Sequence, residues 1–256
     1  MRIKLKRPKE ITRMREAGRL VAECFAILEE SIEPGARLSD LDEEVERYLK
    51  RHSAKPLYKG YTGSSAGHPP FPGVICASVN QEICHGIPND RLLKDGDIIG
   101  IDIGLRYKGW CGDACVTFAI GQISSEARRL MDITQECLRL GIEAARPGAH
   151  LNQIGAAIQD YADTQGVTVV REWGGHGIGR QLHEPPSVSH IRQPDPGPKL
   201  RPGMVFTIEP MINAGAHNWL LLDDGWTVIT SDGSLSAQFE HTVAITDHGT
   251  EILTKP

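Results

Sequence analysis

Residues 93–102 read LKDGDIIGID and residues 200–209 read LRPGMVFTIE, so that one pattern occurs twice. Leucine, glycine, two β-branched positions and a final acid coincide at an offset of 107 residues (200 − 93). Upstream of these stretches, PGARL at 34–38 and PGAHL at 147–151 match at an offset of 113 (147 − 34). Two echoes in the same order at nearly one offset predict a chain built from two related halves.

Apolar residues at helical spacing surround each Pro-Gly turn. They predict a first helix from Pro8 to Ser31 and, after the first turn, a second helix capped by Ser39. A third helix from Ser125 to Ala145, and a fourth after the second Pro-Gly turn, repeat the arrangement. The order of helix, turn, helix and strands therefore occurs twice.

The length of 256 residues suits a single domain, 1–256, and the recurring order of elements predicts an α+β fold with internal halves of about 8–120 and 121–252. With 40% hydrophobic and 24% charged residues, the composition is that of an ordinary globular protein. No stretch approaches the roughly 18 apolar residues of a transmembrane helix, and no secretory signal follows the basic N-terminus. Six cysteines without a CxxC pair indicate free thiols in a reducing cytoplasm.

The net charge of −5 gives no sign of a nucleic-acid or membrane partner. One local basic run lies near the N-terminus and comprises Arg2, Lys4, Lys6, Arg7 and Lys9. Either it touches RNA or a ribosome, or it is a solvated arm that leads into the first helix. The solvated arm is the ordinary behaviour of such charge runs.

Asp102 and Glu209 end the two matched stretches, each inside a strand that is apolar on both faces. Asp113 and Glu240 have similar settings, in WCGDACVTF and AQFEHTVAI. Burying an unpaired carboxylate is costly, so each acid needs a cation, a proton or hydrogen-bond donors. A single such acid often caps a turn or pairs with an arginine, but the nearby strand positions hold no Lys or Arg. Four of them on matched strands favour a metal site.

Three histidines lie in Gly- or Pro-rich segments: His85 in CHGIP, His176 in GGHGIGR and His183 in QLHEPP. A lone histidine is more often structural, but beside four carboxylates an imidazole is a ready metal ligand. Oxygen ligands with one imidazole suit divalent Mn, Fe, Co or Zn. Four acids and one histidine exceed what a single open catalytic ion needs. They suit two ions about 3.5–4 Å apart that activate a bridging water for hydrolysis of an amide or ester.

The ordered set CHGIP, GIDIG, GGHGIGR, LHEPP, FTIEP, DGWT and SAQFEHTV resembles the type I methionine aminopeptidases in their short bacterial-type form, over about residues 8–252. Each fragment alone is weak, and the ordered combination is specific. The resemblance implies a pita-bread fold, in which two αβ halves related by a pseudo-twofold axis enclose a dinuclear metal site. It also implies metal-dependent hydrolysis of the N-terminal initiator methionine from nascent proteins, with a small second residue preferred.

Carried over position by position, the resemblance implies five ligands for two divalent ions (Co, Mn, Fe or Zn): Asp102, Asp113, His176, Glu209 and Glu240. Asp113 and Glu240 would bridge the two ions. Asp102 would complete the first site, and His176 with Glu209 would complete the second. Glu209 would also act as the general acid and base, taking a proton from the attacking water.

The same resemblance implies substrate-binding residues. His85 would assist proton transfer near the scissile nitrogen, and His183 would hydrogen-bond the scissile carbonyl and the developing oxyanion. The methionine pocket would add soft and aromatic surface from Phe71, Cys76, Leu182 and Trp226. Residues 64–72 read SSAGHPPFP where the family usually has a tyrosine- and cysteine-bearing stretch, so the shape of the pocket stays open.

Cys111 and Cys115 flank Asp113 at alternate positions of one strand, which places the three side chains on one face. The two thiols are either metal ligands or small buried packing residues. Packing is the usual role of buried cysteine.

Several other functions fit the fold less well. Proline-specific aminopeptidases and creatinase-like amidinohydrolases usually carry a further N-terminal domain, whereas this chain begins just before its first helix, and creatinase-like members lack the full ligand set. A binding module without catalysis would have lost one or more of the five ligands, and a purely structural protein leaves four acids in apolar strands unexplained. The resemblance implies a cytoplasmic monomer acting on nascent polypeptide N-termini, at the ribosome or after release, with no membrane or specific nucleic-acid partner.

Overall fold

The computed structural model describes residues 3–63 and 69–255. Four helices lie within these ranges: α1 Pro8–Ser31, α2 Leu38–Arg51, α3 Ser125–Ala144 and α4 Gln153–Gln165. The predicted bounds of α1 are confirmed, and α3 ends one residue before the predicted Ala145. No helix among the described residues is long and apolar enough to cross a membrane.

The start of α2 differs from the prediction that Ser39 caps it. The helix begins two residues earlier, at Leu38, with Arg37 in the capping position and no side chain bonded to the free N–H groups. The Ser39 hydroxyl instead donates to Asp90 Oδ1 at 3.2 Å. Its backbone N–H donates to the carbonyl of Asn89, and that of Leu38 to the carbonyl of Arg91. A neighbouring loop therefore satisfies the donors that a capping side chain would otherwise take.

Strands fill the chain between and after the helices. In chain order they are β1 Lys55–Pro56, β2 Cys76–Val79, β3 Glu82–Cys84, β4 Ile98–Tyr107, β5 Trp110–Ala119, β6 Thr168–Val169, β7 Gly175–Gly177, β8 Glu184–Val188, β9 Val205–Ile208, β10 Met211–Asn213, β11 Trp219–Leu221, β12 Val228–Thr230, β13 Ser236–Gln238, β14 His241–Thr246 and β15 Gly249–Ile252. The described strands form four sheets. The two larger ones are ordered β1-β4-β2, with β5 beside β4, and β15-β14-β9-β7-β8; the smaller ones are β13-β10-β6 and β11-β12-β3.

Each half of the chain has its own apolar core. In the first half, α1 and α2 pack on the sheet of β4 and β5, and the cluster includes Leu20, Leu41 and Ile101. In the second half, α3 and α4 pack on β9 and β14, with Ile133, Ile158 and Phe206 in the cluster. The α+β fold predicted from the two echoes is confirmed, with helices covering the sheets of each half.

Two isolated backbone bridges reproduce the sequence echo in space. Arg37 pairs with Leu92 in the first half, and His150 pairs with Lys199 in the second. The offsets between equivalent partners are 113 (150 − 37) and 107 (199 − 92), the same as the two offsets read from the sequence. The repeated motifs therefore occupy equivalent positions, although the limits of the halves, 8–120 and 121–252, stay a prediction.

Strand β5 of the first half lies against β13 and β14 of the second. The Thr117 hydroxyl donates to the carbonyl of Gln238 at 2.7 Å, and the Glu240 N–H donates to the carbonyl of Cys115 at 2.8 Å. Further along, the Thr242 hydroxyl donates to the carbonyl of Asp113 at 2.8 Å. This junction brings an acid from each half to the same place.

All six cysteines are free and buried. Burial raises the pKa of Cys115 well above its usual range and raises that of Cys111 too, so both stay protonated thiols. Their environment fits the packing role and not that of thiolate ligands.

Candidate metal centre

The first two acids are cross-strand neighbours on β4 and β5. Asp102 lies opposite Cys115, and Asp113 lies opposite Gly104, so the two acids sit diagonally on one face of the antiparallel pair. Asp113 is buried and Asp102 partly buried. The regular alternation of the two strands is what directs both carboxylates to the same side.

The other two acids do not lie inside strands, as the apolar surroundings had predicted, but at strand ends. Glu209 follows β9 and Glu240 precedes β14. These strands pair with Ile208 opposite His241, so the next positions of the ladder place Glu209 opposite Glu240. At a strand end the backbone leaves the ladder, and both acids can therefore turn toward the junction of the halves while remaining buried.

His176 joins these acids from the short strand β7. Its Nε2 lies 3.6 Å from Asp113 Oδ2 and 3.7 Å from Glu209 Oε1. Its Nδ1 lies 3.1 Å from its neighbour's carbonyl, Gly177 O, which fixes Nδ1 as the protonated nitrogen and directs Nε2 toward the acids. One ligand atom each from Asp113, His176 and Glu240 lies within 4.8 Å of the others.

The donor set fits divalent cations. Glu240 is buried, yet its Oε1 has no hydrogen-bond partner. No Lys or Arg within residues 3–63 and 69–255 forms an ion pair with any of the four acids. A buried carboxylate oxygen without a donor is expensive unless a cation faces it. Carboxylates with one imidazole are the ligands of divalent Mn, Fe, Co or Zn.

The pKa values of the acids and of His176 also indicate that the site lacks positive charge. Burial, and then the charge of Asp113, raise the pKa of Asp102 and Glu240 well above their usual ranges. Burial also raises the pKa of Glu209, to about 7. Burial lowers the pKa of His176, but the bond to Asp113 and the charge of Glu209 outweigh it and bring the pKa to about 9. In the metal-free site, bound protons therefore neutralise the carboxylates that cations would otherwise neutralise.

Tyr58 belongs to the site, and the sequence analysis missed it. Its hydroxyl lies 2.6 Å from both Asp102 Oδ1 and Asp113 Oδ1. The Tyr58 hydroxyl therefore has a carboxylate acceptor on each of the two strands and lies between the two acids. A Cβ on Gly104 would come within 2.8 Å of the Tyr58 ring, which explains why GIDIG ends in glycine.

The other two histidines, His183 and His85, each lie against neighbouring rings. The ring of His183 packs edge-on against that of His176 at 4.3 Å, and its Nδ1 is 3.3 Å from the hydroxyl of Tyr61. Burial, then the charge of His176, lower the pKa of His183 to about 4, so it is neutral at pH 7. His85 has a φ of 56°, and its ring contacts the edges of Trp173 at 6.4 Å and Trp226 at 6.3 Å. Its strained backbone is typical of functional positions.

The four apolar residues assigned to the methionine pocket lie in one cluster. Phe71, Cys76, Leu182 and Trp226 share it with Tyr58, and Tyr61 packs against it. The tyrosine-bearing stretch sought in 64–72 therefore lies upstream, in YKGY at 58–61, where two aromatics three residues apart were the available signal. Residues 64–68 of the unusual segment, with Ser65 and His68, lie outside the described residues.

A buried ion pair holds the loop that carries His183. Lys6 Nζ lies 2.9 Å from Glu184 Oε2, with side chains only 5% and 6% exposed. Glu184 Oε1 also accepts the backbone N–H groups of Arg180 and Gln181. The solvated-arm interpretation of the basic run is therefore wrong for Lys6, although Lys4, Arg7 and Lys9 are exposed as expected.

Removing the charge of Lys6 should destabilise the protein through this pair. Lys6→Met leaves Glu184 buried and unpaired, which we expect to lower the free energy of unfolding by about 3 kcal/mol. Lys59→Met breaks an exposed pair with Glu46 and is the matched control, with an expected loss below about 1 kcal/mol. Urea unfolding measures both, and equal losses would show that the buried pair has no special role. Adding Glu184→Gln to Lys6→Met should recover part of the loss.

Comparison with known proteins gives a family, a relative and two similar solved structures. The model of metallopeptidase family M24 matches residues 12–247. Methionine aminopeptidase 1 of Bacillus subtilis (strain 168) is 48% identical over 250 residues, 98% of each chain. A methionine aminopeptidase crystal structure from Rickettsia prowazekii has a TM-score of 0.94 at 42% identity, covering 99% of this chain and 100% of that one. A prolidase from Pyrococcus horikoshii OT3, at 23% identity and a TM-score of 0.78, shares the fold over 98% of this chain and 63% of its own.

Proposed function

The chain belongs to metallopeptidase family M24, and from that premise we propose that it hydrolyses the peptide bond after the N-terminal methionine of newly made polypeptides. The observation that carries the proposal is the convergence of Asp113, His176 and Glu240, with ligand atoms within 4.8 Å of one another, beside a cluster of aromatic and sulfur-bearing side chains. Cation-binding groups and a site for a thioether are what such a reaction requires.

We assign two divalent ions to this site. Asp113 and Glu240 would be shared by both ions, Asp102 would complete one site, and His176 with Glu209 would complete the other. Ions held there would lower the pKa of a bound water to about 7 and would so supply a hydroxide at neutral pH. The unpartnered Glu240 Oε1 and the grouping of Asp113, Glu209 and Glu240 around one imidazole support this assignment.

Glu209 is assigned the transfer of protons. Its Oε1 lies 3.7 Å from His176 Nε2, within the group of acids, where it would accept a proton from the attacking water and pass it on. Thr207 Oγ1 donates to Glu209 Oε1 at 2.6 Å, and the Glu209 N–H donates to Nε2 of the neutral His190 at 3.1 Å. These bonds orient the carboxylate toward His176 and the acids of the other half.

The two loop histidines are assigned to the scissile bond. A neutral His183 carries one N–H that can donate to the scissile carbonyl and to the oxyanion that develops on it. His85, held between Trp173 and Trp226, would serve the departing amine on the other side. The methionine side chain would lie against Phe71, Cys76, Leu182 and Trp226, with the ring of Tyr61 at the margin of the cluster.

Nascent N-termini are the substrates, and small second residues are preferred. The protein would act as a monomer in the cytoplasm, on chains at the ribosome or just released. The exposed Lys4, Arg7 and Lys9 offer a small basic surface there, and no membrane or specific nucleic acid is needed.

The direct test is release of methionine from Met-Gly-Met by metal-free protein titrated with Mn, Fe, Co and Zn. We expect methionine release that depends on added metal and is lost in Glu209→Gln, which keeps the size of the side chain but cannot accept a proton. Cleavage of Xaa-Pro peptides without methionine release would contradict the specificity. Failure to cleave any peptide, with metal bound, would leave a binding protein in place of an enzyme.

A further inference from the structure

Four consecutive apolar residues are exposed on the surface at strand β11. Trp219, Leu220, Leu221 and Leu222 are 37–53% exposed, and the other large apolar side chains exposed to this degree among the described residues are Leu5 and Leu92. Single exposed apolar residues are ordinary, but a contiguous run on one strand marks a binding surface or an aggregation hazard. We call residues 219–222 the apolar edge.

The apolar edge has an open side. Strand β11 is the last strand of its sheet, which runs β11-β12-β3. The carbonyl of Asn218 accepts from Ser231, and the N–H of Leu222 donates to Thr227, both on the side of β12. Because main-chain groups alternate in direction along a strand, Trp219 and Leu221 point their N–H and carbonyl groups away from β12. An extended peptide could therefore add here as a further strand.

The apolar edge is continuous with the candidate metal centre. The Trp219 ring packs against that of Trp173 at 4.9 Å, and Trp173 contacts the ring of His85 at 6.4 Å. Strand β3 leads directly into His85, and Trp226 lies in the turn region between β11 and β12. A polypeptide that leaves the scissile bond beside His85 thus meets Trp173 and then Trp219.

We propose that the apolar edge binds the part of the substrate that follows the scissile bond, as an added strand, and favours apolar residues there. The proposal rests on the proposed function and extends it to the substrate's later residues. The two ring-to-ring steps of 6.4 and 4.9 Å correspond to about three residues of extended chain at roughly 3.3 Å each. The third to fifth residues of the substrate are therefore the ones that reach Trp219, Leu220 and Leu221.

The test compares two hexapeptides, Met-Gly-Val-Leu-Val-Ser and Met-Gly-Ser-Ser-Ser-Ser. We expect kcat/KM to be about tenfold higher for the apolar peptide, since burial of one or two aliphatic side chains has that effect on affinity. The difference should lie in KM, because these contacts are the same before and during the reaction. The double variant Leu220→Ser/Leu221→Ser should reduce the ratio below about twofold and leave hydrolysis of the polar peptide unchanged.

Leu92→Ser is the matched control, since Leu92 is as exposed as Leu221 but lies on the loop that pairs with Arg37, and it should keep the tenfold ratio. A second probe needs no variant: methylating the backbone nitrogen of the fourth peptide residue blocks strand addition and should raise KM for the apolar peptide. An unchanged ratio in the double variant, or equal KM for both peptides in the original chain, would overturn the proposal. Loss of a concentration-dependent dimer in the double variant, with the ratio kept, would assign the edge to a second copy instead. No methionine release from either peptide or from Met-Gly-Met would instead be a failure of the proposed function.

Discussion

Glu240→Gln should abolish peptide hydrolysis and yet make the metal-free protein harder to unfold. If Glu240 is a ligand shared by two ions, as proposed, its loss removes several kcal/mol of stabilisation of the reacting charges, so we expect kcat to fall by about a thousandfold or more. Without metal, the same change removes one of several carboxylates that repel one another in a buried site. We expect the melting temperature at pH 8 to rise by about 3 °C, the shift that ~1 kcal/mol gives at this chain length.

Calorimetry without metal and methionine release at saturating metal measure the two effects. Glu43→Gln is the control, since Glu43 is an exposed helix residue that pairs only with Arg47 at 3.3 Å. It should change neither quantity. Full turnover of Glu240→Gln would remove Glu240 from the ligand set, and a fall in its metal-free melting temperature would contradict the repulsion among the buried acids.

The metal-free protein should lose stability as the pH rises from about 6.5 to 9. Burial raises the pKa of Glu209 from 4.5 to about 7, so the stability that it contributes is lost between those two values and only the end of its titration falls in this window. Burial lowers the pKa of His176, but its acidic partners outweigh this effect and bring the pKa to about 9. Protonated His176 therefore stabilises the fold fully below pH 6.5, and this stabilisation is lost as the pH rises through 9. Both effects have the same sign, and together they amount to about 3 kcal/mol.

Below this window other histidines act in the opposite direction. Burial lowers the pKa of His183 and His241 to about 4 and that of His190 to about 3, so their contribution is lost as the pH falls from 6.5 toward 4. The raised pKa values of Glu209, Asp102 and Glu240 offset this loss, so the stability of the metal-free protein should change less between pH 4.5 and 6.5 than between pH 6.5 and 9. Added metal should stabilise most at high pH, because ligands must lose their protons to bind it. Urea unfolding at several pH values, with and without Mn, measures this, and a metal-free optimum near pH 9 would contradict it.

Sequence alone predicted the parts of the site that follow from repetition. Asp102 and Glu209 lie at matched positions of the repeated pattern. An acid is unusual in so apolar a segment, so both signals were local. Glu240 and Asp113 followed because their surroundings are equally apolar. The bounds of α1 were predicted because its apolar stripe is uninterrupted and Pro8 occupies its first turn.

What the sequence did not show depends on contacts between distant segments. The Tyr58 hydroxyl reaches Asp113 across 55 residues, and Lys6 reaches Glu184 across 178. The residues next to a tyrosine on a loop, or next to a lysine in a basic run, do not indicate which distant residue it will contact. Ser39 failed as a cap for the same reason, since the carbonyls of Asn89 and Arg91 accept from the N–H groups of Ser39 and Leu38 and let the helix begin before Ser39.

The candidate metal centre lies at the junction between β5 and β13–β14, so metal binding should also affect how firmly the two halves are held together. Asp102 and Asp113 come from the first half, and His176, Glu209 and Glu240 come from the second. Ions bound by all five residues would therefore cross-link the two halves. A chelator would then affect more than catalysis: it would weaken the junction, which the hydrogen bonds of Thr117, Glu240 and Thr242 and the pairing of β3 with β12 would still hold. In the metal-free protein, we expect proteases to cleave first near the junction between the two halves.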